Sequence, residues 1–225
     1  MLLEALEAGA GPDPEAVVAT YVLVHGAWAG GWMWRSVARD LRAEGHEVFT
    51  PTLTGLGERV HLAHPEIDLD THVLDVENVI RYERLEEVLL VGYSYAGLVI
   101  SGVAERVPES IGRLVYLDAL VPRDGESCAD LVGRARAGFF VRAAKQRGDG
   151  WRVPARRDVP EAERLTDMPL KAGLQSIEVR DPAARALPRT FVLFSAKPAH
   201  DPLRPVLLAL ACYPAQGCAE RSGAP

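Results

Sequence analysis

Residues 87–108, EVLLVGYSYAGLVISGVAERVP, run apolar without alternation, turn within five residues, then continue with helical spacing up to Pro108. A strand with no polar face is expected where both sides of a parallel sheet are covered. The turn between strand and helix is centred on Ser94, with Gly92 and Ala96 two residues to either side and Gly97 next. Small residues there let the helix fold back close to the strand. The serine at the apex is forced into a strained backbone conformation that presents its hydroxyl at the sheet's carboxyl end. The pattern is G-x-S-x-A, a modest departure from G-x-S-x-G. It makes Ser94 a candidate nucleophile, against the plainer alternative of a serine that caps a helix.

The rest of the chain falls into step with this element. AVVATYVLVHG reads as a buried strand ended by glycine, and GWMWRSVARDLRAEGH as a helix with Trp34, Val37, Ala38 and Leu41 on one stripe. EVFTPTL reads as a strand, TGLGERVHLAHPEID as a long loop, and DLDTHVLDVENVIRYERL as a helix through Val73, Val76 and Ile80. IGRLVYLDAL and RTFVLFSA are further strands. This alternation predicts an α/β fold, a mainly parallel sheet with helices on both faces. Between residues 122 and 187 the sequence is rich in Arg, Gly and Pro, with helical fragments and no convincing strand. An insertion between two parallel strands commonly caps the strand carboxyl ends, where ligands bind. The expected organisation is an N-terminal extension over 1–16, a core over 17–121, a cap over 122–187, and a last strand with an atypical tail over 188–225.

Composition narrows the function classes. A chain of 225 residues with net charge −6 has no electrostatic footprint for nucleic acid. Residues 121–190 nevertheless carry 14 basic and 10 acidic side chains. They read as solvated mixed-charge helices or as a mildly basic lobe over a site for polar substrates. Cys128, Cys212 and Cys218 have neither metal-ligand nor disulfide-framework spacing. With an N-terminus too acidic and too weakly apolar for a secretory signal, they predict a reducing, cytoplasmic setting. No apolar run approaches a membrane span.

The segment VLVHGAW places His25 and Gly26 at the tip of the first strong strand. In hydrolases of this architecture that loop supplies one backbone N–H for a developing oxyanion, and the residue after the serine supplies the other. Here those are Ala27 and Tyr95. Gly26 keeps the loop open, and His25 is expected to brace it by hydrogen bonds. Trp28 and Tyr93 flank these residues, so the candidate pocket comprises His25, Gly26, Trp28 and Tyr93. Trp32, Trp34, Phe139, Phe140 and Trp151 are further candidate walls, most aromatic residues being simply core.

These segments, dense from residue 20 to 122 and again at RTFVLFSA, resemble the α/β-hydrolase family. More narrowly they are similar to bacterial esterases related to plant methylesterases and hydroxynitrile lyases. The resemblance implies an α/β-hydrolase fold with a small cap, no cofactor, and hydrolysis of a small carboxylic ester. Gly26 favours the esterase branch, since the lyase branch carries threonine there and a lysine beside its catalytic histidine. The family's acid follows the strand RTFVLFSA, so Asp201 is its nearest counterpart. Its catalytic histidine has no counterpart, and no final strand and helix pattern follows.

Each histidine therefore has to be weighed. His46, at a strand start, reads as structural, and His72, in the first turn of a helix, as exposed. His61 and His64 suggest a metal only by H-x-x-H spacing, without a third ligand. His200 alone follows a strand at the carboxyl end of the sheet. Ser94, Asp118 and His200 thus form a candidate rearranged triad, Asp118 ending the strand after the nucleophile's. The bland alternative makes His200 a loop residue and Asp118 a hydrogen-bonding group, leaving an impaired esterase. A non-catalytic small-molecule-binding member of the family and a cyanohydrin-cleaving lyase are the other readings. An open sheet edge predicts association between copies of the chain.

Overall fold

A computed structural model describes residues 18–194. The proposed extension over 1–16 and the tail with Asp201, His200, Cys212 and Cys218 lie outside the described residues. Among the described residues, five strands form one parallel sheet: β1 (Thr20–Val24), β2 (Glu47–Phe49), β3 (Val88–Tyr93), β4 (Ile111–Leu117) and, after the insertion, β7 (Arg189–Val192). Their spatial order is β2-β1-β3-β4-β7. The chain reverses its direction of travel across the sheet after β2, so the loops leaving β1 and β3 meet at the switch between the two halves, where open α/β sheets bind ligands.

Side chains alternate between the two faces, as the strand period requires. Tyr21, Leu23, Val91, Val115 and Leu117 pack with Trp34, Ala38 and Leu41. The last two come from helix α1 (Arg35–Ala43), which continues a 3-10 turn over Gly31–Trp34. Val22, Val24, Leu90, Leu114 and Tyr116 face the larger core with helices α2 (Leu69–Tyr82) and α3 (Ala96–Arg106). Helix α3 is buried from Ala96 to Ala104 without a break, as expected of a helix that is apolar all round. Each fully buried Val, Leu or Ile contributes about 1.5–3 kcal/mol, so this helix is among the firmest parts of the molecule. Helix α2 opens with a reciprocal cap: Thr71 N–H donates to Asp68 at 3.0 Å and Asp68 N–H to the Thr71 hydroxyl at 3.4 Å.

The insertion between β4 and β7 contains α4 (Cys128–Val132), α5 (Arg134–Arg147), α6 (Leu170–Leu174) and α7 (Pro182–Ala186). It also contains an antiparallel ribbon of β5 (Arg152–Val153) and β6 (Met168–Pro169). That ribbon corrects the expectation of a strandless insertion, because strands of two residues are too short to show any alternation. The supposed long loop after β2 likewise contains a 3-10 helix over Gly57–Leu62.

Candidate active site

Ser94 has φ of 55°, in the left-handed region, where a non-glycine residue costs about 1–3 kcal/mol and persists only if its surroundings impose it. They do. Ser94 N–H donates to Leu117 O at 3.2 Å, while Ser94 O accepts from Leu120 N–H at 2.9 Å and Gly97 N–H at 3.2 Å. The elbow is thus stitched to the exit of β4 on both of its backbone groups. A Cβ on Gly92 would lie 2.8 Å from Ala96 O, and one on Gly97 only 2.0 Å from Leu120 O. Of the two glycines, Gly97 is under the more stringent requirement.

The loop after β1 comes against this turn. A Cβ on Gly26 would sit 3.3 Å from the Ser94 Cβ and 3.0 Å from Tyr93 Cδ1. The N–H groups of Ala27 and Tyr95 have no hydrogen-bond acceptor among the described residues. Trp28, at φ 65°, carries the chain onward and ties the loop to the insertion. Its indole N–H donates to Val153 O at 3.1 Å, and its carbonyl accepts from Thr166 N–H at 2.9 Å. Asp118 is buried at the tip of β4 with φ of 46°, its N–H donating to Val192 O at 2.7 Å.

A narrow apolar cavity of ≈ 50 Å³ lies beside these donors. Ala27, Trp28 and Tyr95 line it from the core, and Phe140, Val153 and Met168 from the insertion. Phe140 meets Trp28 edge-on at 5.7 Å. Cys128 also lines the cavity, and burial pushes its thiol up to about 12. His25, Gly26 and Tyr93 do not line it. Tyr93 stacks on Phe194 at 6.3 Å instead. Phe139 is exposed and Trp34 belongs to the core. A larger polar cleft of ≈ 590 Å³, bordered by Trp32, Arg35, Arg42 and Arg164, contains none of the candidate catalytic residues.

The histidines sort themselves by their partners. His25 is fully buried; its Nδ1–H donates to Gly26 O at 2.8 Å, and its Nε2 accepts from Leu53 N–H at 3.0 Å. His72 is also fully buried rather than exposed, because it shares the inward face of α2 with Leu69, Val73 and Val76. Its Nε2–H donates to Thr54 O at 3.1 Å, so its Nδ1 accepts from the Tyr95 hydroxyl at 3.0 Å. Burial lowers both imidazoles from 6.5 to about 4, so both are neutral near neutral pH. Burial also holds the Tyr95 phenol well above its ordinary range. His46 accepts from Ala19 N–H at 3.3 Å, beside β2. His61 and His64 make only local backbone contacts, and no metal-binding cluster exists among the described residues. No histidine among the described residues hydrogen-bonds Ser94.

A doubly covered parallel sheet with a strained serine at its switch point is the arrangement of the α/β-hydrolase architecture. The sequence profile described as the alpha/beta hydrolase family matches residues 21–220, and the chain belongs to that family. It is 52% identical over 118 residues to a carbendazim hydrolyzing esterase of Nocardioides sp. (strain SG-4G), covering 52% of this chain and 49% of the relative. It is 35% identical over 104 residues to the alpha-hydroxynitrile lyase of Arabidopsis thaliana, covering 45% of this chain and 40% of that one. The chain spans about half the length, or less, of the curated relatives it matches. An extracellular alpha/beta-hydrolase from a Paenibacillus species superposes with a TM-score of 0.71 at 23% identity, over 84% of this chain and 86% of that one, which shows the shared fold. No helix among the described residues is long and apolar enough to cross a membrane.

Proposed function

We propose that the protein is a serine esterase acting on small esters with an apolar group. Ser94 is the nucleophile, and the Ala27 and Tyr95 N–H groups are the oxyanion donors. The observation that carries this reading is the strained Ser94 held against two N–H groups without acceptors among the described residues. The similarity to a relative described as an esterase supports it. Ser94 Oγ forms a bond to the ester carbonyl carbon as its proton passes to a base, and the carbonyl electron pair moves onto oxygen. The two N–H groups meet that charge, each contributing ~3 kcal/mol to the transition state. Collapse breaks the bond to the alcohol oxygen, which leaves with the proton; water then repeats the sequence on the acyl-serine. His200 is the base in this reading, because His25 and His72 have both ring nitrogens engaged elsewhere. Asp118 orients it, with Asp201 the alternative acid. The apolar cavity receives the ester's hydrocarbon part.

Intact mass after treatment with a small fluorophosphonate tests the reading. One adduct, absent from Ser94→Ala, is expected. No adduct on folded protein favours the second reading, a non-catalytic small-molecule-binding member of the family. That reading draws on the absence of a base bonded to Ser94 among the described residues. His200→Ala separates the assignments further: unchanged turnover of p-nitrophenyl acetate removes His200 from the mechanism. Cyanide release from a cyanohydrin would mark the lyase alternative.

A further inference from the structure

The two oxyanion donors belong to segments far apart in sequence, and each segment is hydrogen-bonded to a different buried histidine. His25 Nδ1–H donates to Gly26 O, and the Tyr95 hydroxyl donates to His72 Nδ1. The opposite nitrogens of both rings end on adjacent residues: His25 Nε2 accepts from Leu53 N–H, and His72 Nε2–H donates to Thr54 O. This short segment is itself clamped. Thr54 N–H and hydroxyl donate to the two Asp75 oxygens at 2.6 and 2.7 Å. Arg59 Nη1 donates to Asp75 at 2.9 Å and to Thr52 O at 2.8 Å.

We propose that Leu53–Thr54 is a common strut for both halves of the oxyanion hole, and that His72 and the Tyr95 hydroxyl are positioning residues acting through it. The inference rests on the esterase reading. The Tyr95 side chain leaves the same backbone that carries the donor N–H. Fixing the phenol against His72, with a longer contact to Ala172 O at 3.4 Å, fixes the first turn of α3 relative to the strut. The Gly26 carbonyl, one residue before the other donor, is fixed to the same strut by His25. The separation of the two N–H groups is then set by two hydrogen bonds to neighbouring residues rather than by the flexibility of two loops. A fraction of an ångström there matters, since small misplacements of reacting groups cost large factors in rate.

The test uses fluorophosphonate inactivation of the full chain, whose phosphoryl oxygen enters the donors' position, measured as a limiting rate and a half-saturation concentration. Tyr95→Phe keeps the ring and removes only the hydroxyl; His72→Gln keeps a donor for Thr54 O and breaks the ring's bridge. Each is expected to lower the limiting rate about tenfold, below the 10²–10³ of losing a donor outright, with half-saturation unchanged. Residues acting as one unit are non-additive, so the double variant is expected to be no slower than the slower single one. Wild-type rates in Tyr95→Phe overturn the inference, as does a loss confined to half-saturation or a fully multiplicative double variant. A wild-type chain that takes no adduct at all overturns the esterase reading, and this inference with it.

Discussion

Ser94 and Asp118 both sit in the left-handed backbone region, at φ 55° and 46°, although neither is glycine. The strain of the first has a direct test, because glycine adopts that conformation without cost. Ser94→Gly is expected to raise unfolding stability by about 1 kcal/mol in urea titration while abolishing the fluorophosphonate adduct. The neighbouring glycine goes the other way. A Cβ at Gly97 would collide with Leu120 O, a backbone atom that cannot swing aside. Gly97→Ala is therefore expected to cost about 3 kcal/mol in the same titration. Cys128 offers a third check. With its thiol pushed up to about 12, it is expected to resist a thiol-specific reagent at pH 8 in the folded protein and to react on unfolding, read by peptide mass mapping. The elbow was legible from sequence because steric need at Gly92 and Ala96 leaves a local signature. The greater need at Gly97 was not, since its obstacle comes from a residue 23 positions away.

Helix α2 shows how an element carries more than its stripe. Its apolar period through Val73, Val76 and Ile80 marks the buried face, and Leu69 and His72 fall on that face by the same i, i+3, i+4 count. Read as a first-turn residue, His72 looks solvent-exposed; read by period, it looks buried, and the period is the physical determinant. Its partner Tyr95 lies in the turn that leads into α3, a pairing which no local pattern encodes. The two neutral histidines give the fold an acid limit. His25, near Glu58, Asp75 and His72, and His72, near Asp75, Asp68 and Arg59, bind protons between pH 6.5 and about 4 only when unfolded. Between 6.5 and about 4 the unfolded state therefore holds more protons, and stability falls as pH falls. The combined loss across that window is expected to be on the order of several kcal/mol. Denaturant midpoints measured from pH 7 down to 4 check the slope, and His25 and His72 variants should flatten it.

At the scale of the whole molecule, the α/β class with its parallel sheet and packed helices was readable from the succession of strand-like and helical apolar runs. The ribbon within the insertion was not, because Arg152–Val153 and Met168–Pro169 find each other only through tertiary contact. Nor was the placement of the cavity, whose walls come both from the core and from the insertion that follows β4. Strand β7 pairs with β4 on one side and with no other strand among the described residues. Association of copies through that edge is expected to raise the sedimentation coefficient with concentration; a constant value argues against it. Trp28 joins the insertion to the loop that carries Ala27, through its indole on one side and its carbonyl on the other. Any displacement of the ribbon is therefore expected to reach the Ala27 N–H, which the proposed mechanism uses as an oxyanion donor. Under the proposed esterase reading, a guest too bulky to be enclosed would hold the lever open and leave the developing charge unmet, so such a molecule would be refused at the chemical step even after it had been admitted.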